Sequence, residues 1–193
     1  MVLAVIFTAR QIPEEVSRRT VYPLLSRPIS RFDLLFGKFL GAYALSLLGL
    51  LIFALIAFGA MKWFGLGVGG IFWQYLALRA AVLGMVCAVT MGLSVFVTPQ
   101  AAVTIALLLA MVSQTFSSAV MLMQGEAQHT GQLLLRGTYF ALPQFNLFDL
   151  SAKVSYGWGP IPSTTMAQLF IYGAMHVAVW LTLGTLKFQR QAL

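Results

Sequence analysis

Residues 80–125, AAVLGMVCAVTMGLSVFVTPQAAVTIALLLAMVSQTFSSAVMLMQG, contain no charged side chain over 46 positions. A membrane-spanning helix needs about 20 predominantly apolar residues, so this stretch is long enough for two such helices. A second uncharged run, Phe39–Met61, covers 23 residues and is long enough for another. The two runs together predict a polytopic membrane protein.

The composition supports this interpretation and excludes several others. Of the 193 residues, 60% are hydrophobic and only 9% are charged, whereas a soluble domain carries about 25% charged residues. Too few charges remain to cover a globular surface, and a disordered chain, a coiled coil or a secreted disulfide scaffold is excluded as well. The single cysteine, Cys87, lies within an apolar run and is predicted to be a small core residue.

The pattern of apolar runs predicts an all-α fold that forms a single transmembrane domain. Residues 1–9 are apolar but too short to cross a membrane, and we interpret them as the end of a span whose beginning is missing. Residues 12–30 are predicted to be cytoplasmic, with a short helix beginning at Pro13, and residues 124–165 to be an external segment. The four full spans are predicted at residues 31–61, 71–97, 101–123 and 166–186.

The formal net charge of +7 is explained by topology rather than by nucleic-acid binding. Lys and Arg are typically in excess in cytoplasmic loops, and the predicted topology places eight basic residues on the cytoplasmic side and three on the external side. We therefore expect a multi-pass protein of the cell (inner) membrane with a cytoplasmic C-terminus. The eight residues are Arg10, Arg18, Arg19, Arg27, Arg31, Lys38, Lys187 and Arg190, and the three are Lys62, Arg136 and Lys153.

Two glycine motifs resemble nucleotide-binding sequences but lack the required context. Residues 65–70, GLGVGG, match G-x-G-x-x-G, yet apolar spans flank them and no acidic residue follows before Gly125, so a turn is the better interpretation. A phosphate loop around Gly37-Lys38 would need glycine at position 32 and a hydroxyl at position 39, where the chain has phenylalanine. We expect this chain to bind no nucleotide.

No metal site or catalytic group is predicted either. His129 and His176 lack the spacing of metal ligands. A copper(I) site built from Met121, Met123 and His129 is an alternative, but flexible core methionines are the simpler explanation. An intramembrane enzyme would need buried acids, bases or ligands that the predicted spans do not supply.

Small residues at helical spacing predict close packing between membrane helices. Two polar residues inside spans, His176 and Gln114, are candidates for a transport pathway. For His176 an interhelical hydrogen bond is the favoured explanation, whereas Arg79 is close enough to the external face to extend its charged end there. The small residues are Ala80, Gly84, Ala88 and Gly92 in the second full span, and Gly37 and Gly41 in the first.

Two motifs resemble those of type-2 ABC transporter permeases, the membrane-spanning subunits of these transporters. Residues 25–31, LSRPISR, followed by Gly37-Lys38, match the cytoplasmic connection that leads into a span in that family. Residues 142–150, LPQFNLFDL, are similar to the segment that these permeases carry before their last span. The chain is most similar to the copper-processing and general multidrug-like subgroup.

The resemblance implies that residues 12–22 form a coupling helix that docks into a separate ABC-type ATP-binding subunit. That partner would bind the ATP, so this chain would need no cofactor, and two permease subunits would pair as a homodimer or a heterodimer. The family usually has six spans, so four spans and a partial one suggest truncation upstream. The alternative is a non-transporting membrane scaffold or assembly protein. The residues implied in coupling are Glu15, Arg18, Arg19, Arg27, Pro28, Arg31 and Lys38.

Overall fold

The computed structural model describes residues 1–17, 31–65, 67–123, 137 and 142–190, with only the backbone given for residues 12–17, 31, 114, 116–123 and 190. This part of the chain is all-helical, as predicted. Two short helical turns, a 3-10 turn and α5, precede the last long helix. The elements are α1 (Val2–Ser17), α2 (Arg31–Trp63), α3 (Gly70–Phe96), α4 (Pro99–Met123), the 3-10 turn (Phe145–Phe148), α5 (Ser151–Ser155) and α6 (Ser163–Arg190).

Three of the described helices are long and apolar enough to cross a membrane: α2, α3 and α6. Helix α4 has 25 residues, which corresponds to about 37 Å of helix at a rise of about 1.5 Å per residue. Its fully described apolar stretch, Pro99–Ser113, is shorter than a span. The fourth full span at residues 101–123 therefore stays a prediction, although the helix itself is present.

Local sequence explains where these helices begin and end. Asp33 lies in the first turn of α2 and Lys62 in its last turn, which places each charge at the end of the helix dipole that favours it. Gly65 adopts a positive φ of 68° in the connection to α3, a conformation that glycine accepts at little cost. Pro99 is the first residue of α4, a position where its missing N–H costs no helical hydrogen bond.

Helix α1 differs from the prediction because Pro13 lies inside it and does not begin a separate helix. The helix continues from the apolar residues 2–9 into the segment predicted to be cytoplasmic. Ala4 and Val5 are buried against residues of α2 and α3, so the apolar part of α1 is anchored in the bundle. A proline inside a helix removes one backbone hydrogen bond, a loss that helices in membranes tolerate.

Helix α3 is the centre of the bundle and α2 is at its periphery. In the most apolar stretch of α3, 67% of the residues are buried, whereas in that of α2 none is. Helix α3 packs against α1, α2, α4 and most extensively α6. Cys87 is fully buried in the cluster that joins α2, α3 and α6, in the core position expected for it.

The two ends of the bundle have different chemistry. At one end, here called the basic end, helices α1, α3 and α6 finish and helices α2 and α4 begin. This end carries Arg31, Lys38 and Lys187. The Lys187 ammonium lies over the Phe96 ring, 5.9 Å from its centroid. At the other end, here called the aromatic end, Trp63, Trp73 and Trp158 are exposed. Residues 142–162, here called the strap, precede α6, which begins at the aromatic end.

Candidate functional site: a strap inserted among the membrane helices

The strap packs into the helical bundle, and the external side predicted for residues 124–165 stays a prediction. Phe145, Phe148 and Leu150 are buried in one cluster with residues of α1, α3 and α4. A Cβ built on Gly173 of α6 would lie 3.5 Å from the Phe148 ring. Gly173 is ten residues beyond the start of α6, so the strap reaches about 15 Å into the bundle. It does so because burial of its large apolar side chains is favourable.

Two polar contacts hold the strap against α3. The Gln74 side chain donates from Nε2 to the carbonyl oxygen of Ile161 at 3.0 Å and accepts from the Ile161 N–H at 2.8 Å. One turn further along, Arg79 Nη2 lies 3.0 Å from Asp149 Oδ1, and both side chains are only 25% exposed. The Arg79 guanidinium also lies over the Tyr75 ring at 5.0 Å. Arg79 is therefore paired within the chain and does not simply extend towards solvent.

The Asp149 carboxylate is held in its ionised form. Burial alone would raise its pKa, but hydrogen bonds from Ser151 and the charge and hydrogen bond of Arg79 outweigh burial, so the pKa lies below its ordinary value. Its Oδ1 accepts the Ser151 N–H at 2.9 Å, which places the negative charge at the start of α5. The strap is thus fixed by a charged contact that persists at neutral pH.

We expect the Arg79–Asp149 contact to stabilise the bundle equally between pH 5 and pH 8. Because the folded pKa of Asp149 is lowered, this stabilisation is present above the unfolded carboxyl pKa of about 3.9 and is lost as pH falls through the folded value. Asp149→Asn should cost about 1–3 kcal/mol at both pH values, as measured by chemical unfolding in detergent. A double-mutant cycle of Arg79→Gln and Asp149→Asn should show that their effects on the free energy of unfolding are not additive. Lys153→Gln serves as the control. A cost of Asp149→Asn that changes between pH 5 and pH 8 would contradict this.

The inner end of the strap is held by a polar cluster from α4 and α6. The Tyr172 hydroxyl donates to the Leu142 carbonyl at 2.9 Å and accepts the Gln144 N–H at 3.1 Å. Ser113 of α4 donates to Gln144 Oε1 and accepts the Asn146 N–H, both at 3.4 Å. Within the described part of the chain, the buried Gln144 Nε2 has no hydrogen-bond partner. The cluster ties the strap to the two helices that flank it.

His176 is buried in α6, but its hydrogen bond lies within that helix. Its Nδ1 is 3.1 Å from the Tyr172 carbonyl oxygen, and because a carbonyl can only accept, Nδ1 carries the proton. The helix itself supplies this acceptor one turn earlier, and the interhelical hydrogen bond expected from the sequence stays a prediction. Gln114 belongs to α4, and its side chain is outside the described residues. Their role in a pathway stays a prediction.

The small residues of α3 lie at close helix contacts. A Cβ on Gly92 would meet Trp180 Cε3 at 2.9 Å and the Trp180 carbonyl oxygen at 3.0 Å, and one on Gly84 would meet the Tyr43 ring at 3.4 Å. Ala88 is fully buried, and Ala80 is partly buried. Helices α3 and α6 can approach this closely because Gly92 has no side chain.

The two glycines of α2 lie in a different environment. Gly37 and Gly41 are exposed, and a Cβ on either would meet no atom within 4 Å. Among the described residues, neither glycine makes a close contact with another helix.

Three of the residues implied in coupling lie in the described parts of α1 and α2 at the basic end. Glu15 lies in the last turn of α1, Arg31 begins α2, and Lys38 is two turns further along α2. Lys38 is partly buried, while the side chains of Glu15 and Arg31 are not described. Four of the predicted residues fall outside the described part of the chain: Arg18, Arg19, Arg27 and Pro28.

These features define a class: a multi-pass helical membrane protein with one basic end and a strap inserted before its last helix. The family model for ABC-2 family transporter proteins matches residues 1–193, and the chain belongs to that family. It therefore has a permease role in ABC transport, and in this family the membrane subunit is not itself catalytic. Comparisons with curated proteins and with solved structures gave no match.

Proposed function

We propose that this chain couples a separate ATP-binding subunit to the movement of a substrate across the cell (inner) membrane. The observation that carries the proposal is the family match over residues 1–193. The basic connection at residues 18–30 is the proposed docking point for the partner. That connection joins the end of α1 to the start of α2. A partner docked there can convert its own closure on ATP into tilting of both helices.

The basic end faces the cytoplasm in this proposal. It carries Lys187 and the residues of the α1–α2 connection, and Lys and Arg concentrate on the cytoplasmic side of membrane proteins. The ATP-binding subunit is cytoplasmic, so the connection and the partner lie on the same side. The strap, with its exposed Trp158, then lies towards the outer face, where it borders the outer mouth of the pathway.

Two permease subunits pair along α2 in this proposal, as a homodimer or as a heterodimer. Helix α2 is strongly apolar, and none of its most apolar stretch is buried within the chain. Its open Gly37 and Gly41 allow a second helix to approach closely. The substrate pathway lies between the protomers, with His176 and Gln114 as candidate polar residues along it.

We expect Gly41→Leu to weaken pairing of permease subunits without destabilising the single chain. A leucine side chain would block close approach of a second helix, whereas no atom of the described residues lies within 4 Å of a Cβ at this position. Loss of such packing should reduce the dimer fraction by about tenfold in membranes, as counted by single-molecule photobleaching. Gly159→Leu, at an equally open glycine of the strap outside α2, is the matched control. Equal dimer fractions for the two variants would exclude the α2 interface.

The proposed function is tested by isolating the chain with its partners. A tagged copy, expressed from the full native gene in its own operon context, is extracted in a gentle detergent and its bound proteins are identified by mass spectrometry. We expect a stoichiometric subunit with the phosphate-loop pattern G-x-x-x-x-G-K-[ST] and an ATPase activity that the membrane subunit alone lacks. A purified complex without such a subunit would favour the scaffold or assembly protein over the transporter.

A further inference from the structure

Helix α5 ends in an ordered turn that presents two large aromatic side chains. Gly157 adopts a positive φ of 63°, a conformation that glycine accepts at little cost. The Trp158 N–H donates to the Lys153 carbonyl oxygen at 2.9 Å, and the Gly157 N–H donates to the Val154 carbonyl oxygen at 3.2 Å. These two hydrogen bonds are the pair that ends a helix in a Schellman motif. Residues 153–158, here called the aromatic turn, therefore have a backbone conformation that their own hydrogen bonds define.

The side chains of the aromatic turn lie on the surface of the molecule. Tyr156 is 78% exposed and Trp158 is 59% exposed, whereas Phe148 earlier in the strap is fully buried. The Lys153 ammonium lies over the Trp158 ring, 5.7 Å from its centroid. Two large rings and one cation are therefore held together on a defined backbone, outside the bundle. Such an exposed apolar surface indicates a contact with something beyond the chain.

The aromatic turn lies close to the level at which the three candidate membrane spans end. Helix α2 ends and helices α3 and α6 begin at the aromatic end. The hydrogen bonds between Gln74 and Ile161 attach the strap to the first two turns of α3. Trp158 precedes Ile161 by three residues, so the chain between them covers at most about 11 Å. The aromatic turn is therefore near the headgroup region, which begins where a helix that spans the hydrocarbon ends.

The side chains of the aromatic turn have the chemistry that suits this region. Trp and Tyr are enriched at membrane–water interfaces, because the ring lies against acyl chains while its N–H or O–H stays hydrated. Trp63 of α2 and Trp73 of α3 are also exposed, so two spans and the strap each present a tryptophan at the aromatic end. The Lys153 ammonium is complementary to the phosphate that every phospholipid headgroup carries.

We propose that the aromatic turn anchors the strap in the phospholipid headgroup layer, with the rings of Tyr156 and Trp158 at the acyl-chain boundary and the Lys153 ammonium on a lipid phosphate. Phe148 holds the strap among the helices, and the aromatic turn holds it in the membrane surface. A headgroup layer at this level covers both rings and supplies an anion for the cation. This inference does not depend on the proposed transport function.

The experiment measures the depth of a nitroxide label beside the aromatic turn, with the full chain in phosphatidylcholine nanodiscs. Gly159 is exposed, and a Cβ there meets no atom within 4 Å, so Gly159→Cys can carry the label, whereas the native Cys87 is fully buried. Electron paramagnetic resonance then compares collisions of the label with oxygen, which concentrates in the membrane, and with a water-soluble nickel complex. We expect the membrane to protect the label from the nickel complex.

Tyr156→Ser combined with Trp158→Ser should abolish this protection, so that the nickel complex reaches the label as it reaches one in water. Both rings are exposed, so the variant should fold with an unchanged melting temperature in detergent. The matched control exchanges the two rings, Tyr156→Trp with Trp158→Tyr, and should keep the native depth because both rings remain. Lys153→Gln should reduce the protection in part, because the phosphate contact is lost and the rings stay.

Three results would overturn the proposal. The first is a label on the native turn that the nickel complex reaches as freely as in water. The second is a label that neither oxygen nor the nickel complex reaches, because a protein would then cover the turn in place of lipid. The third is a native depth in the serine variant or in Lys153→Gln.

Discussion

Gly92→Leu is expected to prevent stable assembly of the helical bundle. Even a single methyl group at this position would lie 2.9 Å from Trp180 Cε3 and 3.0 Å from the Trp180 carbonyl oxygen. The carbonyl belongs to the backbone of α6, so it cannot move without displacing the helix. Gly184 of α6 also packs against Gly92, because a Cβ added at Gly184 would lie 3.4 Å from the Gly92 Cα.

The size of the substituted side chain should set the size of the effect. Gly92→Ala should cost about 1–3 kcal/mol, as overpacking of a close contact does, and Gly92→Leu should leave no folded protein to extract. Gly84→Ala should cost less, because the nearest atom to its new methyl group is the edge of the Tyr43 ring at 3.4 Å. Fluorescence-detected size-exclusion chromatography after heating to a series of temperatures measures the folded fraction and melting temperature of all three variants.

Gly59→Leu is the control for these glycine substitutions. It lies on exposed α2 with no atom within 4 Å of its built Cβ, and the same change there should leave the elution profile and melting temperature nearly unchanged. If Gly92→Leu and Gly59→Leu eluted and melted alike, the close α3–α6 contact would be wrong.

Arg18→Glu combined with Arg19→Glu is expected to abolish ATP-driven transport while leaving the membrane helices intact. In the proposed function these residues belong to the connection that docks into the ATP-binding subunit, and reversal of two charges turns electrostatic complementarity into repulsion. Partner binding should fall by at least about tenfold, as measured by co-purification. The ATP-dependent flux of proteoliposomes should disappear with it.

The control for this double variant is a second double charge reversal at the opposite end of the bundle. Lys62→Glu with Lys153→Glu changes the formal charge by the same amount but lies at the aromatic end, so co-purification of the partner should be unchanged. Because basic residues also set membrane orientation, the accessibility of a cysteine placed at Ser155 reports whether either variant inverts the chain. Unchanged partner binding in Arg18→Glu, Arg19→Glu with the native orientation would refute the coupling assignment.

The strap shows why sequence reasoning located its motif but could not predict which side chains pack into the bundle. Phe145, Phe148 and Leu150 are large apolar residues in a segment without the length of a span, and that composition was the available signal of burial. Their depth depends on the space left between α3, α4 and α6, which no local pattern encodes. For the same reason Arg79 and Asp149, 70 positions apart in the chain, could not be paired from the sequence.

The sequence by itself determined the class of this protein and the location of its long helices. Uncharged runs such as residues 80–125 cannot be solvated, and a backbone in lipid must satisfy its own hydrogen bonds, so helices follow from composition alone. Only the tertiary structure decided that Gly92 is a close contact while Gly41 is open, and that the strap lies inside the bundle. These environments depend on which helices pack against each other. In an almost uniformly apolar chain, side-chain shape rather than hydrophobicity decides that packing.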